Sequence, residues 1–280
     1  MHYQDALHVA AAQVNAELGA VDANLERHLA VIEEAAHHGV ELLVFPELSL
    51  TGYGLAGSVM QVAMPVEDQR LARLAEASGA MQTVVGFVEE ASPGEYYNAL
   101  AILQDGAIVA VHRKLNLPTY GGLEEGKWFT HGSELTLAQV RPGWSATQLI
   151  CADLWNPALV HAALLPRPTV LCAPINSASG IVSEDFSNEQ NWVLNVRFYA
   201  MTYGTPVIMA NRYGPEGASH FWGGSRILGP RGEVLAEAED RETLITATLS
   251  RTAIARARFE LPTHRDADTP LIRELMAGYR

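Results

Sequence analysis

Three residues with reactive side chains each follow an apolar run, and together they could perform acyl transfer. Glu47 comes after LLVFP, Lys114 after IVAVHR and Cys151 after TQLI. A thiol is a nucleophile, a carboxylate can take its proton as a general base, and an ammonium can stabilise the oxyanion of a tetrahedral intermediate. This combination predicts attack on an amide or a nitrile through a thioester intermediate.

Each of the three residues also has a structural interpretation when it is taken alone. A cysteine after an apolar run is more often a small buried hydrophobic residue than a nucleophile, and this applies to Cys151. Glu47 could cap a helix or a turn, and Lys114 could be a surface charge at the end of a strand. The chemical hypothesis therefore depends on convergence, because the carboxyl ends of strands in layered α/β folds meet at one site.

The hydropathy pattern predicts the elements that would position these residues. HVAAAQV, LLVF, TQLIC and TVLCAPI are apolar runs typical of strands, and we expect the strand over 147–151 to end at the cysteine. Helical periodicity covers about 22–38, 67–79 and 188–203. Strands and helices alternate, hairpins follow, and the same pattern then returns, which predicts two stacked sheets with helices outside. The Gly-rich loop at 115–132 is long enough to be functional.

The composition is that of a compact, acidic globular protein. The chain has 280 residues, a formal net charge of −13 and 48% hydrophobic residues. No Lys/Arg cluster offsets the negative charge, so we expect no nucleic-acid partner. The ten histidines show no paired ligand spacing, and no nucleotide-binding glycine motif is present. We therefore expect neither a metal nor another cofactor.

Two features of the sequence bear on the compartment in which the protein works. The N-terminal MHYQDALHVAAAQ lacks a basic region followed by an apolar core, and no apolar run is long enough to cross a membrane. We therefore expect no signal peptide and no membrane association. The two cysteines, Cys151 and Cys172, fit a reducing compartment better than a disulfide framework, so the cytoplasm is the expected location.

Three segments resemble the signature motifs of the nitrilase superfamily, the carbon–nitrogen hydrolases: FPELSLTGY, HRKLNLP and LICADLWNP. The similarity runs in the same order over about residues 7–250. It implies an α/β (α+β) fold, the four-layer α-β-β-α sandwich, whose subunits usually pair into a homodimer of eight layers. We take residues 1–255 as the carbon–nitrogen hydrolase domain and 256–280 as a tail that could wrap a partner subunit.

The resemblance also implies roles for individual residues. Glu47 would be the general base, Lys114 the cation that stabilises the intermediate and Cys151 the nucleophile. A second glutamate is expected in the GGLEEGKWF loop, and the fit to the family pattern favours Glu125 over Glu124. Its expected task is to position the lysine and the substrate.

The candidates for substrate binding lie in or beside these motifs. The backbone N–H of Ala152, next to the nucleophile, is a candidate second oxyanion donor. The sequence departs from the usual family pattern at 156–158, where Asn-Pro-Ala replaces Phe-Pro-Glu, and we expect this difference to affect substrate contacts. Five further side chains could line a pocket, although each alone is more often ordinary packing: Tyr53, Tyr120, Trp128, Trp155 and Asn176.

The residues and the resemblance together predict an amidase that hydrolyses a small linear carboxamide to an acid and ammonia. An N-carbamoyl amine or amino acid amidohydrolase is the alternative, and a nitrilase comes next. The loop after the lysine is similar to the glutaminase-type domains of NAD synthetases. No ATP-pyrophosphatase domain follows, so we do not expect a complete synthetase. A binding protein with a decayed catalytic site is the hypothesis from another class, and the complete Glu-Lys-Glu-Cys set argues against it.

Overall fold

The computed structural model describes residues 4–279 of the chain. The strands are β1 (Ala6–Gln13), β2 (Leu42–Val44), β3 (Gln82–Ser92), β4 (Glu95–Gln104), β5 (Ala107–Arg113), β6 (Leu137–Arg141), β7 (Trp144–Gln148), β8 (Val170–Ile175), β9 (Val207–Asn211), β10 (Tyr213–Glu216), β11 (Ser219–Trp222), β12 (Arg226–Leu228), β13 (Val234–Glu237) and β14 (Thr243–Ser250). The helices are α1 (Val21–His37), α2 (Val59–Val62), α3 (Gln69–Ser78), α4 (Pro157–Leu164), α5 (Asn188–Tyr203), α6 (Arg251–Glu260), α7 (Thr263–Asp266) and α8 (Thr269–Ala277). Short 3-10 turns lie at Ala56–Ser58, Glu125–Lys127 and Cys151–Trp155.

Two six-stranded sheets form the centre of the molecule. The strand order is β14-β1-β2-β3-β4-β5 in the first sheet and β13-β12-β9-β8-β7-β6 in the second. In the first sheet β1, β2 and β3 run parallel, and in the second β7, β8 and β9 do. Antiparallel strands extend both sheets at their edges. The central strands of each sheet are therefore parallel, and the carboxyl ends of such strands can carry a functional site.

Side chains alternate along the strands between an inner and an outer core. In β1, Val9 and Ala11 lie in the core between the sheets, whereas Ala10 belongs to the core shared with α1 and α3. In β8, Cys172 lies between the sheets and Leu171 packs with α4 and α5. This two-residue period places one helical layer on each side of the paired sheets. The layers are therefore α-β-β-α, and the predicted fold class is confirmed.

Helix α5 has clear start and stop signals at the predicted positions. The Ser187 hydroxyl accepts the N–H of Gln190 at 3.3 Å, which caps the first turn. Gly204 adopts a φ of 55° and ends the helix in a left-handed conformation that suits glycine. Trp192 and Val196 pack its inner face against the second sheet. This packing fixes the position of the helix start, which lies beside the site described below.

The C-terminal helices continue from the last strand. The predicted domain boundary at residue 255 lies inside α6, where Ile254 packs into the core between the sheets. Helix α8 leaves apolar side chains such as Leu271 and Leu275 exposed. None of the helices described between residues 4 and 279 is long and apolar enough to cross a membrane.

Candidate active site

Three charged side chains meet in a buried cluster beyond the strand ends. Glu47 lies just after β2, Lys114 directly after β5, and Glu125 at the start of the 3-10 turn in the long loop. Lys114 Nζ donates to Glu47 Oε1 at 2.6 Å and to Glu125 Oε1 at 2.7 Å. Glu124 is exposed and pairs with Lys127 instead. The geometry therefore favours Glu125 over its neighbour as the second carboxylate.

The backbone that carries Glu47 packs directly on the main chain of β3. Leu48 adopts a φ of 47°, a left-handed conformation that costs a non-glycine residue roughly 1–3 kcal/mol. A Cβ on Gly86 would lie 2.3 Å from Leu48 N and 2.5 Å from Pro46 O. The N–H of Leu50 donates to Gly86 O at 3.0 Å. Glycine in β3 thus allows the close approach that fixes the direction of the Glu47 side chain.

Two asparagines hold Glu47 from opposite sheets. Asn98 in β4 donates to Glu47 Oε1 at 2.7 Å, and Asn176 after β8 donates to Glu47 O at 2.9 Å. The second contact shows that the carboxyl ends of β2 and β8 meet. Asn98 was missed in the sequence, although a polar residue inside the apolar run YYNALAIL was a usable signal. Glu47 Oε2 is buried and receives no hydrogen bond from any residue described, so it is free to accept a proton.

The strand before Cys151 ends three residues earlier than expected. Strand β7 stops at Gln148, and Cys151 begins a 3-10 turn with a φ of 45°. The prediction of a strand up to the cysteine was wrong. The hydropathy pattern reports which residues are apolar, and it cannot indicate a left-handed φ at a non-glycine residue. Cys151 is partly exposed as a whole residue, whereas Cys172 is fully buried in β8.

Asp153 joins the cysteine turn to the lysine segment. Its Oδ2 accepts the N–H of Ile150 at 2.9 Å. Its Oδ1 accepts the backbone N–H groups of the two residues after Lys114, at 3.1 and 2.6 Å. A buried carboxylate with three N–H donors is well satisfied. It therefore serves to hold Cys151 beside Lys114.

Burial decides the proton affinities in this cluster. Burial raises the pKa of the Cys151 thiol well above its ordinary value, and the Glu47 carboxylate adds to the effect. Burial also raises the pKa of Glu125 to about 7, although the Lys114 ammonium acts in the opposite direction. Burial opposes the charge on Lys114, but the carboxylates of Glu125 and Glu47 outweigh it and raise the pKa of the ammonium. At neutral pH a charged lysine therefore lies beside a protonated thiol.

A small cavity of about 30 Å³ opens over Cys151. Five of the six candidates for the substrate side line it: Tyr53, Tyr120, Ala152, Trp155 and Asn176. The sixth candidate, Trp128, lines a separate cavity of about 130 Å³ instead. The sequence interpretation did not assign the other lining residues to a site: Pro118, Leu123, Ser177, Ile181, Val182, Asn188 and Trp192. A wider groove of about 1050 Å³ lies elsewhere, between α4 and α8, and its described lining contains none of the predicted site residues.

Tyr53 is fixed at both its backbone and its hydroxyl. The hydroxyl donates to Glu125 Oε1 at 2.6 Å. The N–H groups of Tyr53 and Gly54 donate to the Glu216 carboxylate at 3.1 and 2.7 Å. Glu216 in β10 is paired in turn with the buried Arg212. No sequence pattern could predict these hydrogen bonds to Glu216, because Tyr53 and Glu216 are 163 positions apart.

The departure from the family pattern at 156–158 begins a helix. Asn156 accepts the N–H of Ala158 at 3.2 Å and caps α4, and Pro157 occupies the first helical turn. Trp155 lines the cavity over the cysteine, whereas Pro157 and Ala158 line the wider groove. Residues 156–158 therefore do not line the cavity over the cysteine themselves.

The side chains grouped here suit covalent catalysis by a thiol. Within residues 4–279, no group of three or more His, Cys, Asp or Glu side chains could hold a metal ion. The site instead offers a thiol, a carboxylate with a free oxygen and a buried ammonium, which are the parts of an acyl-transfer site.

A model of the carbon–nitrogen hydrolase family matches residues 8–259. This chain belongs to the carbon–nitrogen hydrolase family. The matched span includes the buried charge cluster, the cysteine turn and the cavity above it. The resemblance to the nitrilase superfamily is thereby confirmed, and the protein is a hydrolase.

The relatives of this hydrolase include two kinds of enzyme. The glutamine-dependent NAD(+) synthetase of Thermotoga maritima is 30% identical over 233 residues, which cover 82% of this chain and 39% of the synthetase. The hydrolase thus spans about two fifths of that relative. The N-carbamoylputrescine amidase of Arabidopsis thaliana is 26% identical over 264 residues, which cover 88% of this chain and 87% of the amidase. A solved carbon–nitrogen hydrolase of Helicobacter pylori G27 superposes with a TM-score of 0.82 at 25% identity, over 97% of this chain and 98% of the other.

Proposed function

We propose that the protein is an amidase that hydrolyses a small linear carboxamide to a carboxylic acid and ammonia. Cys151 is the nucleophile, Glu47 the general base and Lys114 the cation that stabilises the intermediate. The observation that carries this proposal is the buried Lys114 ammonium, held between Glu47 and Glu125 at 2.6 and 2.7 Å beside the cysteine turn. A buried charge of this kind is costly to maintain and is typical of a functional site.

The first half of the reaction forms a thioester. Because the pKa of the Cys151 thiol is raised, the thiol is protonated at rest and needs a base when it attacks. Glu47 Oε2 takes that proton as the sulfur bonds to the amide carbon. The oxyanion forms beside the Lys114 ammonium and the N–H of Ala152. Glu47 then returns the proton to the nitrogen, the carbon–nitrogen bond breaks and ammonia leaves.

The second half of the reaction consumes water. Glu47, again unprotonated after ammonia has left, takes a proton from a water molecule that attacks the thioester carbon. The carbon–sulfur bond breaks, the thiolate recovers its proton from Glu47, and the acid is released. Glu125 holds the Lys114 ammonium in place throughout, and Tyr53 fixes Glu125 by the hydrogen bond of 2.6 Å.

An N-carbamoyl compound is the second candidate substrate class. The Arabidopsis relative named for N-carbamoylputrescine matches almost its whole length to this chain, unlike the synthetases. A carbamoyl group presents the same H₂N–C=O unit to Cys151 and follows the same steps. Glutamine, named in the synthetase relatives, and nitriles are the remaining candidates. A binding protein whose catalytic site had decayed would not need the complete buried set of Glu47, Lys114 and Glu125.

An ammonia-release screen tests this function directly. Short carboxamides, N-carbamoyl compounds, glutamine and nitriles are offered to the wild type and to Cys151→Ala. We expect release from amides, no release by the variant, and unchanged circular dichroism of the variant. Cys172→Ala is the matched control, since that thiol is buried in β8 away from the cavity, and it should retain turnover. Ammonia release by Cys151→Ala would contradict the mechanism. If neither the wild type nor Cys172→Ala releases ammonia from any of these compounds, the alternative of a binding protein with a decayed catalytic site is favoured.

We further propose that two copies of the chain form a homodimer in the cytoplasm. Helix α5 exposes an apolar stripe of Leu194, Phe198 and Met201 at helical spacing, with exposed fractions of 68%, 51% and 49%. Contiguous exposed apolar faces of this kind are typical of protein–protein contacts. The resemblance to dimeric family members supports a second copy as the occupant. Both cysteines are free thiols, which supports a reducing compartment.

A further inference from the structure

Asn188 offers an unused hydrogen-bond acceptor to the cavity over Cys151. It is the first residue of α5, is only 3% exposed and lines the cavity. Its Nδ2 donates to the Ser177 hydroxyl at 3.1 Å, but its Oδ1 receives no hydrogen bond from any residue in the described chain. A buried acceptor without a donor costs free energy, so it is expected to find a donor on a ligand.

The wall of the cavity carries no charge. Among its described lining residues none is Asp, Glu, Lys, Arg or His. Helix α5 begins beside the cavity, and its positive N-terminus could otherwise attract an anion. The Glu189 carboxylate already lies at the N-terminus of α5, where it accepts hydrogen bonds from the hydroxyls of Ser179 and Ser187. Neither the wall nor the helix end is therefore available to a substrate carboxylate.

The segment that continues from the cavity wall, which we call the mouth, carries two acidic residues. Ile181 and Val182 line the cavity, and the exposed Glu184 and Asp185 come two and three positions after Val182. This segment is bonded to the loop on the other side, where Gly122 N–H donates to Ile181 O at 2.9 Å. No lysine or arginine occurs between residues 181 and 189. The charges of this segment therefore favour a cation over an anion near the cavity at low ionic strength.

We propose that Asn188 is a specificity-determining residue that binds an ammonium or another hydrogen-bond donor on the tail of the substrate. The substrate class is then a short carboxamide or carbamoyl compound that carries an amine and no carboxylate. The proposal rests on the proposed function, because it names the substrate of the same site. The H₂N–C=O group lies over Cys151 in the small cavity, and the tail passes Asn188 toward Glu184 and Asp185.

Four amides of matched length test this assignment in the wild type. γ-Aminobutyramide carries an ammonium, γ-hydroxybutyramide a neutral donor, valeramide a methyl group and succinamate a carboxylate. We expect kcat/KM to be about tenfold higher for each donor-bearing amide than for valeramide, the size of one net hydrogen bond. Succinamate should be the poorest substrate. Added salt should narrow the preference for the ammonium over the hydroxyl, because exposed charges are screened.

Variants separate the roles of the wall and of the mouth. Asn188→Leu should reduce the ratio of kcat/KM for γ-hydroxybutyramide over valeramide by about tenfold, because it removes the acceptor. It also removes the Nδ2 donor to Ser177, a loss that affects both amides alike and leaves the ratio to report the acceptor. Asn191→Leu, on the same helix and outside the cavity lining, is the matched control and should keep the wild-type ratio. Replacing both Glu184 and Asp185 by their amides should lower the ammonium-over-hydroxyl ratio and leave the hydroxyl-over-methyl ratio in place.

The outcomes distinguish this proposal from the proposed function. Turnover of all four amides with equal kcat/KM, or an unchanged ratio in Asn188→Leu, overturns the role of Asn188 while the amidase stands. A preference for succinamate overturns the exclusion of carboxylates. If none of the amides releases ammonia in a reaction that depends on Cys151, the proposed function itself fails.

Discussion

The buried cluster contains one more carboxylate than it has cations. Glu47 and Glu125 both accept from the single Lys114 ammonium, and each uses the oxygen Oε1. The two carboxylates are not equivalent, because Glu125 also accepts from the Tyr53 hydroxyl while Glu47 accepts from Asn98. The second oxygen of each carboxylate receives no hydrogen bond from any residue between 4 and 279, so this atom does not separate their roles. We propose that Glu47 makes the proton transfers, because the family resemblance places the general base there and because Glu125 is also held by the Tyr53 hydroxyl. Glu125 then acts through the lysine.

Replacing Glu125 by glutamine tests this division of roles. Glutamine keeps the shape of the side chain but removes the charge that holds the Lys114 ammonium. We expect kcat/KM to fall roughly 10²- to 10³-fold, the range for a lost electrostatic contribution to a transition state. The measurement is steady-state ammonia release on a carboxamide that the wild type turns over.

The adjacent glutamate provides the matched control for that variant. Glu124 is exposed and paired with Lys127, and Glu124→Gln should leave kcat/KM within about twofold of the wild type, since exposed ion pairs contribute little. Near-normal turnover by Glu125→Gln, or a large loss in Glu124→Gln, would move the second carboxylate or remove its role.

At the scale of elements, the site depends on how closely strand ends approach one another. A methyl group on Gly86 would overlap the backbone of the Glu47 turn at 2.3 Å. We expect Gly86→Ala to cost about 1–3 kcal/mol of unfolding free energy, typical of overpacking. It should also lower kcat/KM at least about tenfold, because it displaces the base from the reacting atoms. Urea unfolding and ammonia release measure the two effects.

Gly57→Ala is the control for this steric argument. Gly57 lies in the 3-10 turn after β2, where an added Cβ would meet nothing within 4 Å. This variant should change neither the unfolding free energy nor the turnover appreciably. If Gly86→Ala behaves in the same way, the close packing of the Glu47 turn on β3 is not what positions the base.

A buried histidine attaches α1 to the segment that follows Glu47. His28 stacks on Phe45 with ring centroids 4.1 Å apart, and its Nε2 lies 2.9 Å from Ser49 Oγ. Burial lowers the pKa of His28 from 6.5 to about 4. The unfolded chain therefore binds more protons than the folded one in this interval, and the stability present above pH 6.5 is lost as the pH falls toward 4.

The expected size of this effect makes it measurable. Between pH 7 and pH 5, the titration of His28 should lower the unfolding free energy by about 2 kcal/mol. His28→Gln cannot titrate, so its unfolding free energy should fall less over the same interval, whatever its value at pH 7. Urea unfolding of both proteins at the two pH values decides the point, and parallel losses would show that His28 is not responsible.

The sequence predicted the elements of this fold better than the contacts between them. Apolar runs identified the strands that lead to Glu47, Lys114 and Cys151. The hydrophobic signal is continuous in β2 because that strand is buried on both faces, whereas β5 is a partly exposed edge strand. The left-handed turn at Cys151 was not foreseeable, since it results from tertiary packing. Asn98 is visible as a polar residue in an apolar run, but its contact with Glu47, 51 positions away, could not be predicted. Local pattern therefore predicts where strands lie, but neither the residue at which each strand ends nor what it contacts.

At the scale of the whole molecule, α5 connects the site to the proposed dimer contact. Its first turns contribute Asn188 and Trp192 to the cavity. Further along, Leu194 and Phe198 are exposed on its outer face. A second copy that covers this outer face would restrain the helix start that lines the cavity. We propose that dimer formation and catalysis are coupled through this helix.

A charge on the outer face of α5 tests this coupling. Phe198→Glu places a carboxylate in the proposed interface, where its desolvation is costly, so the variant should be monomeric by light scattering when the wild type is dimeric. Val109→Glu, at an equally exposed valine on β5, is the control and should remain dimeric. If α5 connects the two sites, monomeric Phe198→Glu should also show reduced kcat/KM, because its cavity wall is less restrained. A monomeric variant with full activity would show that catalysis does not depend on the dimer. A monomeric wild type would show that a second copy does not cover the apolar stripe of α5.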